Sequence, residues 1–236
     1  MKKILILGSA PDAIRAADFD INSFTSIVAI NNAWKITPRW THSIFPTDFP
    51  FEKRPKENPK QTLHTAQEYV PIQNNYGGFL YAGGTMAFTA AYWALDYLNP
   101  DLIAFLGCDM VYEGTNTHFY GCGTADPLRV DPSLRLIEAK ANRFEFFANK
   151  EGCSVVNISE KDVSRLTYQK IGISELNDYQ LSDRNLNSTI VTKALEMEKK
   201  LDYFVASGKY WKESHRFDLA KIDELDQLWL NCFLKN

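Results

Sequence analysis

The chain has 236 residues, 45% of them hydrophobic and 23% charged, long enough to close one substantial core or a core plus an appendage and too apolar for a disordered tail protein. Its net charge of −3 at pH 7 gives no bulk field for gripping a polyphosphate duplex, which argues against a general nucleic-acid binder and leaves room for a local basic cleft. The apolar stretches stop short of the roughly 18 residues a membrane span needs, and Met1-Lys2-Lys3-Ile4-Leu5-Ile6-Leu7-Gly8 runs into a glycine turn instead of a cleavage site, so a cytoplasmic protein with its natural N-terminus is expected.

Residues 3–7 form an apolar run rich in branched side chains that stops at Gly8-Ser9-Ala10-Pro11-Asp12 and leads into Ala13-Ile14-Arg15-Ala16-Ala17, which reads as strand, tight turn and helix. Ser26-Ile27-Val28-Ala29-Ile30, the run at 102–107 and Ser154-Val155-Val156-Asn157-Ile158 are continuous and apolar, as strands covered on both faces are. His42 opens another short strand. Helices are expected over 85–98, closed by Asn99-Pro100, and over 132–150, closed by Glu151-Gly152. Strand and helix alternating through short joints predict an α/β fold with a doubly wound, mostly parallel, Rossmann-like sheet.

Two intervals break that rhythm. Residues 46–82 carry Pro46, Pro50, Pro55, Pro59, Pro71 and Gly77-Gly78, and read as largely loop running over the ends of the sheet. Residues 110–132, rich in Gly, Thr, Tyr and Asp, read as a lid loop leaving the carboxyl end of the 102–107 strand. From about residue 174, Ile190, Ala194, Met197, Leu201 and Phe204, then Ile222, Leu225, Leu228 or Trp229, and Cys232 or Phe233, recur at helical spacing. This divides the chain into a nucleotide-binding domain over 1–173 and a C-terminal helical appendage over 174–236, whose two amphipathic helices pack on the core or form a contact between copies of the chain.

Four places carry residues suited to chemistry. Gly8-Ser9-Ala10-Pro11 puts backbone N–H groups at the start of a helix, either an anion seat or an ordinary strand-to-helix turn. It is not the dinucleotide fingerprint, because alanines stand at positions 10 and 13. Asn31 and Asn32 end the second strand and offer donor and acceptor together, for base or ribose recognition or for turn capping. Gly83-Gly84-Thr85 supplies a second exposed helix N-terminus or a plain N-cap. Gly107-Cys108-Asp109 brings Asp109 to the carboxyl edge of the sheet. The loop beyond it holds Tyr112, Glu113, Thr115, His118, Tyr120, Asp126 and Arg129, and His118 is the candidate general base among them.

Other features carry less. Cys108, Cys122, Cys153 and Cys232 have no C-x-x-C spacing, so reduced thiols and no zinc knuckle are expected. His42, His64 and His215 show no zinc-binding spacing. Lys209 to Phe217 mixes cations with aromatics, an exposed connector or a patch for an anionic membrane surface.

In this order the pieces resemble the bacterial sialyltransferases of glycosyltransferase family 42 and related Rossmann-like enzymes, over roughly residues 1–165. Gly8-Ser9-Ala10-Pro11-Asp12 is similar to that family's G-x-G-P-S turn, departing at Ala10 and Asp12, and Asn31-Asn32-Ala33-Trp34 resembles the asparagine element ending its second strand. Gly83-Gly84-Thr85 loosely matches its T-S-G, and Gly107-Cys108-Asp109 its G-x-D. The resemblance implies a CMP-activated sugar donor and a glycan acceptor of the bacterial surface, no required cofactor, and Tyr112 and Tyr120 as partners of the leaving phosphate. The family's histidine lies just before the helix corresponding to 134–150, where this chain has Ser133, which leaves His118 for the base. A magnesium-dependent pterin pyrophosphokinase-like enzyme, with metal near Asp109, and a non-catalytic nucleotide-binding protein are the alternatives. Peripheral contact with the inner membrane and a homo-oligomer are further expectations.

Overall fold

A computed structural model describes residues 1–20, 23–56, 58–123, 129–180 and 184–234. Seven strands form one sheet: β1 Lys3–Leu7, β2 Ser26–Ile30, β3 His42–Ile44, β4 Thr62–His64, β5 Leu102–Leu106, β6 Ser154–Asn157 and β7 Gln169–Lys170. The order is β4-β3-β2-β1-β5-β6-β7 and every pairing is parallel. The chain therefore builds outward from β1 to one edge, returns to place β5 against the other side of β1, and builds outward again. This is the Rossmann-like α/β fold expected from the alternating runs, and its reversal beside β1 leaves a crevice at the carboxyl ends of the strands. Ile4 to Leu7 and all of β5 are buried, which accounts for continuous apolar runs in place of alternation.

The two faces of the sheet are covered differently. One carries α1 Ala66–Asn75, α3 Met86–Leu98 and α4 Ile137–Lys150, with the short α2 Phe79–Ala82 leading into α3. Phe88, Tyr92, Phe105 and Phe144 pack in that layer. The other face is closed by short 3-10 segments and loops through Ala13, Ala16, Ala33, Trp40 and Leu176. The element after the first turn, Pro11–Ala17, is a seven-residue helix of 3-10 type with no side-chain cap, where a helix was expected.

Residues 46–82, expected to be largely loop, contain β4, α1 and α2. The capping box of Thr65 and Glu68 starts α1 strongly enough that Pro71 sits within the helix. The helix expected over 85–98 is present with Thr85 as its cap, the Thr85 hydroxyl accepting from Phe88 N at 3.3 Å. It ends at Asn99 in the left-handed region with φ 45°, before Pro100. Pro132–Leu134 is a 3-10 turn preceding α4.

The two C-terminal helices are α5 Ser188–Leu201 and α6 Leu219–Leu230. They cover the outer side of α4 through Val191, Ala194, Leu225 and Trp229 against Ala139 and Phe146. Charges register this contact. Arg143 donates to both Glu198 carboxylate oxygens at 2.7 Å and to the Tyr92 hydroxyl at 2.9 Å, and Lys140 meets Asp226 at 2.6 Å. Removing one partner of such a buried pair costs about 3–5 kcal/mol, because the other charge is left uncompensated. No helix among the described residues is long and apolar enough to cross a membrane.

Candidate functional site

The crevice beside β1 is a real cleft. It is lined by Gly8, Ser9 and Ala10 after β1, Ile30 and Asn31 at the end of β2, Thr85, Met86 and Ala87 at the start of α3, Gly107 to Val111 without Asp109 after β5, and Tyr112, His118 and Tyr120 from the loop beyond. Two strand-to-helix and loop-to-helix junctions, far apart in sequence, thus face one space. Its volume is about 110 Å³, room for a phosphate or a single ring and less than the roughly 300–1,000 Å³ of pockets that enclose a drug-sized ligand.

Close backbone approach sets the first junction. Gly8 N donates to Leu106 O at 2.8 Å and Ala10 N to Gly107 O at 3.1 Å. A Cβ on Gly8 would lie 2.3 Å from Gly107 O and 2.6 Å from Cys108 Sγ, so only glycine lets β1 and β5 end this close together. Asn31, at φ 51°, and Met110, at φ 54°, both hold the left-handed region at the cleft wall. Asparagine tolerates it and methionine does so at a cost, a form of strain that gathers at functional sites. The Asn31 Oδ1 atom is buried with no hydrogen-bond partner among the described residues, an unsatisfied acceptor at the cleft wall.

The second junction is built from farther away. Gly83, at φ 91°, and Gly84 lead into the Thr85 cap, but neither glycine lines the cleft. Gly84 N donates to Ser133 Oγ at 3.0 Å and Gly84 O accepts from Arg129 Nη2 at 3.0 Å. Asp131 accepts from Ser133 N, Ser133 Oγ, the Tyr210 hydroxyl and Arg129 Nε at 2.8, 2.6, 2.8 and 3.0 Å. Burial works to raise the Asp131 pKa, and hydrogen bonds from Ser133, Tyr210 and Arg129 overcome it and hold the carboxyl below its ordinary value. Burial pushes the Tyr210 phenol up to about 12, opposed by the Ser133 hydrogen bond, so it stays a donor.

Residues 118–121 fold over the first junction. His118 and Gly121 exchange backbone hydrogen bonds, and Phe119 N donates to Ser9 O at 2.9 Å. His118 is 8% exposed, with its Nδ1 2.8 Å from the Thr117 hydroxyl. Its ring stacks on Tyr120 at 5.0 Å between centroids and lies 6.0 Å from Tyr112, so three rings form one wall. A Cβ on Gly123 would fall 2.7 Å from His118 Nδ1. Asp126 lies outside the described residues.

Other expected site residues stand apart. Asp109 is fully buried, accepting from Asn157 Nδ2 at 3.1 Å and Ser159 Oγ at 2.7 Å. It does not line the cleft; its carboxylate joins the ends of β5 and β6. Asn32 is buried behind the wall and Pro11 sits outside the lining. Cys108, which lines the cleft, is held protonated. Burial and the Asp109 charge raise its thiol pKa, outweighing the Gly8 backbone hydrogen bond, so it is no thiolate nucleophile at neutral pH. Lys209 to Phe217 is neither wholly exposed nor a simple connector, since Tyr210 and Phe217 are buried while Trp211 is 60% exposed. Ser133 and Tyr210 carry no pattern in the sequence that marks them as supports of Gly84, because their role exists only through contacts across the fold.

No family model matches this chain, and neither the curated proteins nor the solved structures give a significant match.

Proposed function

We propose that the cleft binds a nucleotide-activated sugar and that the protein is a glycosyltransferase of sialyltransferase-like type, moving a sugar from a CMP-linked donor to a glycan acceptor. The observation that carries this reading is the meeting of two backbone junctions with Tyr112, His118 and Tyr120 in one cleft at the carboxyl ends of β1, β2 and β5. Backbone N–H groups at Ser9, Met86 and Ala87 suit a phosphate, while that of Ala10 is taken up by Gly107 O. The Asn31 amide oxygen suits an N–H or O–H of the nucleoside.

In the reaction the bond between the sugar carbon and the phosphate oxygen breaks while the acceptor oxygen bonds to that carbon. His118 takes the acceptor's proton, and the electron pair leaves with the phosphate, which Tyr112 and Tyr120 meet with hydroxyl donors. The Thr117 hydroxyl at Nδ1 orients the imidazole for that work. Because the cleft is smaller than a nucleotide sugar, the turn at 118–121 lifts from Ser9 to admit the donor. One backbone hydrogen bond, from Phe119 to Ser9, ties it there.

The metal-dependent pterin alternative does not fit these residues well. Asp109, its proposed metal ligand, already accepts from Asn157 and Ser159 away from the cleft, so no step is assigned through a metal. The test is turnover of CMP-sugar donors, by release of CMP, in wild type and His118→Ala. Release that falls about a hundredfold or more in the variant supports the base role; unchanged release removes it. Nucleotide binding without donor cleavage in the wild type supports a binding protein, and turnover that requires magnesium and a pterin supports the alternative.

A further inference from the structure

The second junction depends on a side chain that arrives from the C-terminal segment. Tyr210 is 3% exposed, and its ring lies parallel to Phe79 with centroids 6.4 Å apart. Its hydroxyl donates to Asp131 Oδ2 at 2.8 Å, accepts from Arg129 Nη2 at 3.3 Å and lies 3.1 Å from Ser133 Oγ. The protons can be followed one by one. Ser133 gives its hydroxyl proton to Asp131 and receives that of Gly84 N, while Arg129 Nη2 reaches both the Tyr210 oxygen and Gly84 O. Asp131 thereby accepts four hydrogen bonds, the full capacity of a carboxylate. Both backbone polar groups of Gly84 end on side chains that this carboxylate holds.

We propose that Tyr210 is a positioning residue for the cleft: through Asp131, Ser133 and Arg129 it fixes Gly84, and so the direction in which the first N–H groups of α3 face the bound anion. The inference rests on the reading of that junction as part of a phosphate seat. It makes the segment beyond α5 part of the site's construction without touching the ligand. A Cβ on Gly84 would lie 2.3 Å from the Tyr210 oxygen and 2.7 Å from Ser133 Oγ, so any larger residue there has to displace both hydroxyls.

The experiment compares the full-length wild type with Tyr210→Phe, which keeps the ring against Phe79 and deletes the hydroxyl, and with Ser133→Ala as an independent second variant. Amide hydrogen exchange without ligand is read at Gly84 N and Phe88 N, and at α5 and α6. CMP affinity is read by calorimetry. The expected result is exchange about tenfold faster at the two junction amides, unchanged protection in α5 and α6, and CMP binding weakened about tenfold, as the loss of a hydrogen bond to a charged group implies. Unchanged junction exchange in both variants overturns the proposal. Uniformly faster exchange also overturns it, because that reports only lost stability. Local acceleration with unaltered CMP affinity removes the positioning role. Local acceleration in a protein whose wild type binds no CMP upholds the link to Gly84 and defeats the CMP reading of the cleft instead.

Discussion

The two junctions that meet in the cleft are made by opposite means. At the first, β1 and β5 end so close together that Gly8 has backbone oxygen 2.3 Å from where a Cβ would stand, and the 3-10 helix that follows has no side-chain cap. At the second, a thirteen-residue helix has its own threonine cap, and the turn before it is held by Arg129, Asp131, Ser133 and Tyr210. The first geometry is stored in the backbone of adjacent strands and yields only if the sheet yields. The second is stored in replaceable side-chain contacts and can loosen while the sheet stays intact.

That contrast is open to breaking. Gly8→Ala should be the most damaging change, costing about 3 kcal/mol or more, since the new methyl meets backbone that cannot move aside. Urea denaturation checks it, and a loss under about 1 kcal/mol would show that the strand ends separate easily.

A control far from both junctions lies at the β3–β4 edge. His42 Nδ1 and His64 Nε2 are 3.1 Å apart, with the His64 ring 4.2 Å from Trp93. Burial lowers the pKa of both, and that of His64 falls to about 4, the nearby His42 adding to burial and Glu68 opposing it. A folded-state pKa below the unfolded 6.5 means that this stability is complete above pH 6.5 and is lost as pH falls toward 4, by about 2–3 kcal/mol. Wild type should therefore lose more stability than His64→Phe between pH 7.5 and 4.5, and parallel losses would show that the histidine is not the cause.

Gly84→Ala sharpens the comparison, because its methyl meets the ends of side chains that can shift. A cost of about 1 kcal/mol is expected, with weaker CMP binding, and a cost equal to that of Gly8→Ala would erase the distinction drawn here. The smallest effect on stability is expected for Asn31→Gly. It relieves a left-handed residue at φ 51° and so changes stability by less than about 1 kcal/mol, while CMP affinity drops about tenfold for want of the amide oxygen. Unimpaired affinity in calorimetry would take Asn31 out of the site.

The same contrast explains what could be read from residues alone. Ile4 to Leu7, Ile27 to Ile30 and the β5 run are legible as buried strands because both sides are covered, and Thr85 and Asn99-Pro100 mark the ends of α3 through local chemistry. The first junction is legible for the same reason, a glycine turn at the end of a strand. The prolines of 46–82 point to largely loop, although the capping box at Thr65 and Glu68 outweighs Pro71 and starts α1. The two-residue β7 is exposed and polar, so no hydrophobic pattern marks it. Asp109 looks like a ligand group by position and proves to bond Asn157 and Ser159. The support of Gly84 by Tyr210 was illegible because nothing local to Lys209 to Phe217 distinguishes a buried phenol from an exposed one.

The most direct test follows backbone amide shifts by NMR as CMP is titrated into the full-length protein. Saturable shifts are expected at Ser9, Met86 and Ala87 together, with Tyr112 and Tyr120 moving in the same titration. Shifts at only one junction, or none at either up to millimolar CMP, would contradict the claim that the two junctions grip one phosphate.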